Sequence, residues 1–196
     1  KKHIENIHHF GLPVVVAVNW FTTDTDDELQ IIRDRCDYLG VPIVKADHWA
    51  RGGEGAEELA RIVMQIIDTT PTDFNLLYPD PMPLWDKVRT VAQKIYGADD
   101  ILADKKLRAK FKALEDGGYG NLPICMAKTQ YSLSTDPSLK GRPNHFDVPL
   151  RDVHLAAGAE FLIVYTGDIM TMPGLPRVPA AESIDVDETD RVVGLF

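Results

Sequence analysis

The sequence predicts an α/β protein in which a parallel-sheet βαβ region is followed by a smaller α/β domain. Two short apolar runs, residues 13–18 and 41–46, alternate with longer segments that repeat apolar residues at helical spacing. The first run is mostly β-branched, which is typical of a strand buried on both faces of a parallel sheet. Four prolines from residue 71 to residue 83 exclude a long helix or strand there. We therefore divide the chain into residues 1–70, a proline-rich connector at 71–83, and residues 84–196.

The first 70 residues are predicted to alternate between helix and strand, which favours parallel pairing of the strands. Because the sequence has no initiator Met and begins inside a helical pattern with Ile4 and Ile7 on one face, we expect further residues to precede it. Asp24 and Thr25 are candidate N-caps of the second helix, and Gly40 is expected to end it. The predicted elements are a helix over 1–10, a strand over 13–18, a helix from about 25 to 39, a strand over 41–46 and a helix over 56–68. The side chains predicted to face the sheet are Leu29, Ile32, Cys36 and Leu39 on one helix and Leu59, Ile62, Val63 and Ile66 on the other.

The region after the connector is also predicted to mix helices and strands. A glycine-rich turn at 117–120 separates two helices from the strand that follows them. The proline-rich end of the chain, from Met170 onward, is expected to wrap the surface. The predicted elements are helices over 84–96 and 104–116 and strands over 122–127, 146–150 and 160–166, the last two on either side of the small-residue segment 156–159.

Composition and charge disfavour several classes of protein. A net charge of −9 and a pI near 5.1 disfavour non-specific binding to nucleic acid or to an anionic membrane surface. No apolar run approaches the roughly 20 residues that cross a bilayer, and no signal peptide is visible, so we expect a cytoplasmic protein. Cys36 and Cys125 form no CxxC pair and are interpreted as reduced packing residues. The six histidines show no metal-ligand spacing, so no metal site is expected.

Phe21 and Trp49 are the first candidates for a binding role. Each comes shortly after a predicted parallel strand, at the carboxyl edge where α/β folds bind ligands. If the two strands are neighbours, the aromatic rings face each other and can hold a flat heterocycle by stacking. The alternative is that both rings are ordinary core aromatics, and the pattern of residues alone leaves both interpretations open.

The turn Gly52-Gly53-Glu54-Gly55 precedes a predicted helix and resembles an anion-binding nest of backbone N–H groups. The alternative is a tight turn that requires a positive φ. With Arg51, the turn is a candidate lining of a pocket beside Trp49. It is not a Walker loop, because no GKS or GKT sequence follows the required glycine spacing anywhere in the chain.

Two further polar segments follow predicted strands. Thr23 and Asp24 lie in the loop after the first strand, where they either cap the next helix or line a ligand pocket. Lys128 follows the apolar run 122–127 and begins a polar stretch that includes Ser132 and Ser134. At this position a lysine is either a solvated strand end or a contact for a phosphate or carboxylate group.

Five segments together resemble one enzyme family, formate–tetrahydrofolate ligase, over the chain from about Lys2 to Phe196. The resemblance implies that Phe21 and Trp49 sandwich the pterin ring of tetrahydrofolate, and that Thr23, Asp24, Arg51, Gly52, Gly53, Glu54 and Lys128 lie around the pocket. Trp20 departs from the family pattern, which usually has a smaller residue there; it either narrows the pocket or packs on the sheet. The segments are 24–25 (DT), 48–55 (HWARGGEG), 95–100 (IYGADD), 121–134 (NLPICMAKTQYSLS) and 170–176 (MTMPGLP).

The resemblance also implies an activity and its substrates. The family uses ATP to join formate to N10 of tetrahydrofolate through formyl phosphate, and it is commonly tetrameric. Its phosphate-binding loop is missing from this sequence, so the chain resembles the C-terminal piece of a P-loop-type ligase. ATP with Mg²⁺ is then expected to bind mainly to the missing N-terminal part, and the isolated chain is expected to be inactive. The alternative is a non-catalytic scaffold or oligomerisation module of the same enzyme.

Overall fold

The computed structural model describes residues 1–167, 169 and 176–195, and these form a mixed α/β structure with several small sheets, some of them parallel. The α/β class predicted from the sequence is therefore confirmed. The helices are α1 Lys2–His8, α2 Asp26–Tyr38, α3 His48–Arg51, α4 Glu57–Thr69, α5 Leu84–Thr90 and α6 Lys105–Leu114, with 3-10 segments at Gly52–Ala56 and Ala180–Glu182 and π-helical segments at Val91–Tyr96 and Glu115–Tyr119. The strands are β1 Val16–Asn19, β2 Ile43–Ala46, β3 Ile101–Leu102, β4 Ile124–Ala127, β5 Val148–Pro149, β6 Asp152–Ala156, β7 Phe161–Tyr165, β8 Asp185–Val186 and β9 Val192–Val193.

The predicted parallel strand pair of the first region is present. β1 and β2 run parallel, with Val16 opposite Ile43 and Asn19 opposite Ala46, and α2 connects them. Their carboxyl ends therefore lie at the same edge of the sheet, which is the geometry the candidate aromatic pair requires.

Local sequence explains why α2 forms where it does. Thr25 is the N-cap, and it makes a reciprocal capping box with Glu28 in which each side chain binds the other residue's backbone N–H. At the other end Gly40 has a φ of 66°, a left-handed conformation that glycine adopts without strain. Leu29 and Cys36 are buried against the sheet, as predicted.

Three burial predictions for the first region are wrong: those for the strand β1, for Ile32 on α2 and for Val63 on α4. β1 is not buried on both faces, because Ala17 and Asn19 are exposed while the alternate residues Val16 and Val18 are half-buried. Successive side chains of a strand point to opposite faces, and the described elements cover only one of them. Val63 on α4 and Ile32 on α2 were both predicted to face the sheet, but they are 36% and 39% exposed.

The largest hydrophobic core lies in the region after the connector. β4 pairs parallel with β7, and β6 pairs antiparallel with β7, which gives a three-stranded sheet in the order β4–β7–β6. The helices α5 and α6 contact this sheet and each other. The buried residues of this core are Leu84, Val88, Ala92, Ala98, Ile101, Leu107, Phe111, Val148, Leu150, Val153, Leu162 and Val164.

Several elements of this region differ from the sequence prediction. The strand predicted over 146–150 is reduced to β5, which pairs with the unpredicted strand β3. β6 was also not predicted, although buried Val153 alternates there with the more exposed Asp152 and His154 in the pattern of a strand with one buried face. The same alternation explains why Cys125 is exposed and is not a packing residue: within β4, Ile124 and Met126 point to the core and Cys125 points away from it.

The C-terminal prediction falls largely outside the described residues. The segment 170–176 contributes only Pro176, so the expected wrapping of the surface from Met170 stays a prediction. Farther on, β8 and β9 form a small antiparallel pair. None of the described helices is long and apolar enough to cross a membrane.

The ion pair between α6 and β6 predicts an acid-sensitive contribution to stability. Lys110 Nζ lies 2.6 Å from Asp152 Oδ1, and this contact above all lowers the pKa of Asp152 from 3.8 to about 2. Because the pKa of Asp152 is lower in the folded than in the unfolded protein, its ionised carboxylate stabilises the fold fully above pH 3.8. This stabilisation is lost as the pH falls through about 2. Because the Asp152 side chain is 43% exposed, solvent screening reduces the contribution of this ion pair to the unfolding free energy to about 1 kcal/mol.

Urea unfolding of the wild type and Asp152→Asn between pH 6 and pH 2 measures this contribution. The two unfolding free energies should differ near neutral pH and converge as the pH approaches 2. Lys110→Met, which removes the main cause of the shift, should behave like Asp152→Asn. A difference that persists unchanged down to pH 2 would contradict the assignment.

Candidate functional site

The carboxyl edge of the β1–β2 sheet brings two aromatic rings together. The backbone N–H of Trp20 still bonds to the carbonyl of Ala46, at 2.9 Å, so the chain segments leaving the two strands begin side by side. Just beyond, the ring centroids of Phe21 and Trp49 lie 5.9 Å apart with their planes tilted by 53°. Phe21 is 40% exposed and Trp49 is 67% exposed. These are therefore surface aromatics at a sheet edge, and the interpretation of both as core residues is wrong.

The Phe21 side of the pair is fixed by the loop that leads into α2. Asp24 Oδ2 accepts a hydrogen bond from the backbone N–H of Phe21 at 2.8 Å, and the N–H of Asp24 donates to the carbonyl of Phe21 at 3.1 Å. The N-cap itself is Thr25, so Asp24 serves to close the turn. Thr23 is exposed in this loop, and its place around a ligand pocket stays a prediction.

The Trp49 side is fixed by a network of charged groups. Trp49 lies on α3, a single helical turn with no buried residue. The Arg51 guanidinium contacts Asp47 Oδ2 at 3.1 Å through one nitrogen and Glu54 Oε1 at 2.7 Å through another. The hydrogen bonds to Glu54 and Asp47 raise the pKa of Arg51 above its ordinary value, so it stays charged. Arg51 thus joins the residue before α3 to the 3-10 segment after it.

The glycine-rich turn closes back on the end of β2. The N–H of Asp47 donates to the carbonyl of Gly55 at 3.2 Å. Gly52 has a φ of 60°, so the tight-turn interpretation holds at that residue. At Gly53 a Cβ would meet nothing within 4 Å. Anion binding by the N–H groups of this turn stays a prediction.

Gly55→Ala is expected to disturb this loop. A Cβ at residue 55 would lie 2.6 Å from the carbonyl carbon and Oδ1 of Asp47, which is too close for carbon. We expect a loss of about 1–3 kcal/mol in unfolding free energy and a change in Trp49 fluorescence. Gly53→Ala is the matched control and should change neither quantity by much. Equal behaviour of the two variants in thermal melts and emission spectra would contradict the close approach of Gly55 to Asp47.

A cavity of about 300 Å³ lies beside the Arg51 network. Its charged groups are mixed: Lys45 and Arg61 lie there together with Asp47, Glu54 and the first acidic residues of α4. Lys45 Nζ lies 3.5 Å from the centroid of the Trp20 ring, which holds Trp20 over β2. Trp20 also lines a second cavity, of about 220 Å³, with Val18, Asp24, Glu28, Leu29 and Ile32. Trp20 thus packs on the sheet and borders the cavity next to Asp24.

Lys128 directly follows β4, a strand of a different sheet, and its ammonium group bonds within its own loop. Its Nζ donates to the carbonyls of Thr129 at 2.7 Å and Ser134 at 3.0 Å, and also to that of Ser132. Burial lowers the pKa of Lys128. The hydroxyls of Ser132 and Ser134 are 2.9 Å apart, and both residues are buried. The sequence suggested a solvated or ligand-binding lysine and missed this network; a ligand contact by Lys128 stays a prediction.

The part of the chain that the structure describes contains neither a metal-ligand cluster nor a Walker loop. Across residues 1–167, 169 and 176–195, no group of three or more His, Cys, Asp or Glu side chains is arranged to hold a metal ion. The sequence also has no Walker-type loop to cradle phosphates.

The aromatic pair sets a geometric condition for binding a flat ligand. A ring stacked between two others needs about 7–8 Å between the outer rings, twice a carbon–carbon contact distance. At 5.9 Å and a 53° tilt, Phe21 and Trp49 touch each other. The Arg51 network holds the backbone of the loop, whereas the Trp49 side chain is 67% exposed, so a change of its rotamer can widen the gap without disturbing buried packing. Asp47 and Lys45 were missed as parts of the site, although the spacing of Asp47 and Arg51 suits an i,i+4 ion pair.

Comparison with known proteins gives a consistent result. The family model described as "Formate--tetrahydrofolate ligase" matches residues 1–196. The formate--tetrahydrofolate ligase of Granulibacter bethesdensis is 53% identical over 196 residues, that of Ruegeria pomeroyi is 52% identical over 195 residues, and that of Pelagibacter ubique is 50% identical over 196 residues. In each case the alignment covers all of this chain but only 34–35% of the length of the relative. The chain thus spans about a third of the length of these relatives.

Proposed function

The chain belongs to the formate–tetrahydrofolate ligase family, and from this premise we propose that it is the folate-holding part of an ATP-dependent ligase. The proposed reaction joins formate to N10 of tetrahydrofolate and gives 10-formyltetrahydrofolate. Because the chain corresponds to about a third of its relatives, the proposal gives it one part of that reaction.

The part we propose is to bind the pterin ring between Phe21 and Trp49. The observation that carries this proposal is the meeting of two exposed aromatic rings, 5.9 Å apart, at the carboxyl edge of a parallel strand pair. Stacking on an aromatic face contributes about 0.5–1.5 kcal/mol per contact beyond the area that is buried. Thr23, Asp24, Arg51, Gly52, Gly53, Glu54 and Lys128 are the residues that we propose around or in support of the pocket.

The rest of the reaction is assigned to the other two thirds of the enzyme. In the proposed scheme, formate is first phosphorylated by ATP to formyl phosphate, and the folate amine then attacks this anhydride and displaces phosphate. Such transfers depend on positioning and on stabilisation of charge around the phosphoryl group. The family's phosphate-binding loop is missing from this sequence, so ATP with Mg²⁺ is proposed to bind mainly elsewhere in the enzyme.

A second candidate function, assembly, is favoured by a different observation. Both α2 and α4 carry large apolar side chains on faces that no described element covers: Ile31 is 70% exposed, Tyr38 78%, Met64 64% and Ile67 72%. Large apolar side chains gathered on exposed helix faces are typical of a surface that contacts another protein. The alternative is therefore a scaffold or oligomerisation module, in which the tetramer of the family forms through these faces and no folate binds.

Two assays of the purified chain distinguish the candidates. We expect it to bind tetrahydrofolate measurably in calorimetry, and to make no 10-formyltetrahydrofolate when ATP, formate and Mg²⁺ are added. A folded chain that self-associates but takes up no tetrahydrofolate would favour the assembly role. Synthesis of 10-formyltetrahydrofolate by the pure chain would overturn the division of roles proposed above.

A further inference from the structure

The loop that presents Trp49 has few contacts other than its own charged network. The loop runs from Asp47 to Gly55, and none of the residues of α3 or of the 3-10 segment is buried. Its ends are closed by the hydrogen bond from the Asp47 N–H to the Gly55 carbonyl. Apart from the contact between the Trp49 and Phe21 rings, little hydrophobic packing holds this loop, so its polar contacts matter for the position of its backbone.

Arg51 supplies such polar contacts because it reaches both ends of the loop. Its guanidinium binds Asp47 on one side of Trp49 and Glu54 on the other, at 3.1 Å and 2.7 Å. Two of its three nitrogens are thereby engaged within the loop, which leaves it poorly placed to act as a direct ligand for an anion. Arginine suits this role because its planar fork binds two carboxylates in fixed directions.

We propose that Asp47, Arg51 and Glu54 are positioning residues that set the place of Trp49 against Phe21 and so determine affinity for the pterin. The inference rests on the proposed function, which supplies the ligand. It changes the role of Arg51 and Glu54 from lining a pocket to ordering the loop that carries the stacking ring. Exposed ion pairs contribute little to global stability, so their loss changes the loop and leaves the fold intact.

The test uses the whole 196-residue chain and the variants Arg51→Met, Arg51→Lys and Arg61→Met. Arg61 borders the same cavity and pairs with Glu57 in α4, so Arg61→Met is the matched control for loss of one charge. Hydrogen exchange of residues 48–55 reports the order of the loop, and tetrahydrofolate titration reports affinity. Arg51→Met should speed exchange in this segment about tenfold and weaken tetrahydrofolate binding roughly three- to tenfold, with partial recovery in Arg51→Lys and no change in Arg61→Met.

A double-mutant cycle with Trp49→Ala separates positioning from direct contact. If Arg51 acts through Trp49, then Arg51→Met should weaken binding no further once Trp49 is alanine. Equal weakening in both backgrounds, or unchanged exchange of residues 48–55 in Arg51→Met, would overturn the inference. Failure of the wild type to bind tetrahydrofolate would instead overturn the proposed function, while the exchange data would still decide whether Arg51 orders the loop.

Discussion

Replacing Lys87 by alanine is expected to lower the free energy of unfolding by about 3–5 kcal/mol. Lys87 has no exposed surface, and its Nζ donates to the carbonyls of Gly120 at 2.8 Å and Leu122 at 3.0 Å. It therefore ties α5 to the segment that leads into β4. The alanine variant leaves two carbonyls without their hydrogen-bond donor and opens a cavity where the lysine stem was. Both effects lower the unfolding free energy, and they add.

Two further variants make this result interpretable. Lys87→Met keeps most of the stem and removes only the ammonium group. Burial already lowers the pKa of that group. The decrease in unfolding free energy should therefore be smaller than in Lys87→Ala, about 1–3 kcal/mol. Lys112→Ala on α6 removes an exposed lysine paired with Asp116 and should cost less than about 0.5 kcal/mol. Chemical unfolding followed by circular dichroism gives all three values. A Lys87→Ala variant as stable as Lys112→Ala would show that the buried hydrogen bonds are wrongly assigned.

Trp49→Ala is expected to weaken tetrahydrofolate binding while the fold persists. Loss of one stacking partner costs about 1–3 kcal/mol for a flat heterocycle, which corresponds to a roughly 5- to 150-fold rise in Kd. Because Trp49 is 67% exposed, its removal leaves no buried cavity and the unfolding free energy should change little. Phe21→Ala should weaken binding in the same direction, and Trp49→Phe should keep part of the affinity.

An exposed aromatic elsewhere in the same region provides the control for this prediction. Tyr38, 78% exposed, is the last residue of α2 and lies at the opposite end of that helix from the Phe21 loop. Tyr38→Ala should leave tetrahydrofolate affinity unchanged in the same calorimetric titration. Similar losses in Tyr38→Ala and Trp49→Ala would point to a general surface effect and would contradict stacking at Trp49.

The features that the sequence predicted correctly are those with a local cause. The valine-rich run before residue 19 and the apolar run before residue 47 indicated two parallel strands, and the structure pairs them. Asp24 and Thr25 were the candidate N-caps of the second helix, and α2 begins directly after Thr25. The approach of Phe21 and Trp49 was one of the two interpretations that the pattern left open, and it depended on the two strands being neighbours, which they are.

The features that sequence analysis missed depend on partners far along the chain. Lys87 lies in an amphipathic helix where a lysine is normally solvated, and it is buried because carbonyls more than thirty residues later accept its hydrogen bonds. α3 is too short to show any periodicity, so its single turn depends on Arg51 and the closure at Gly55. Burial in the first region was overestimated, because a β-branched run does not reveal how many faces of the strand are covered.

The central claim is that Trp49 stacks on the pterin, and fluorine NMR of the chain labelled with 5-fluorotryptophan tests it most directly. The chain has three tryptophans, and Trp49→Phe identifies the resonance of Trp49. Tetrahydrofolate should shift that resonance strongly and leave Trp85, which packs against Phe111 in the core, unchanged. p-Aminobenzoylglutamate, the part of folate without the pterin, should leave the Trp49 resonance near its free position. Binding of tetrahydrofolate with no response at Trp49, or an equal response to both ligands, would contradict the account.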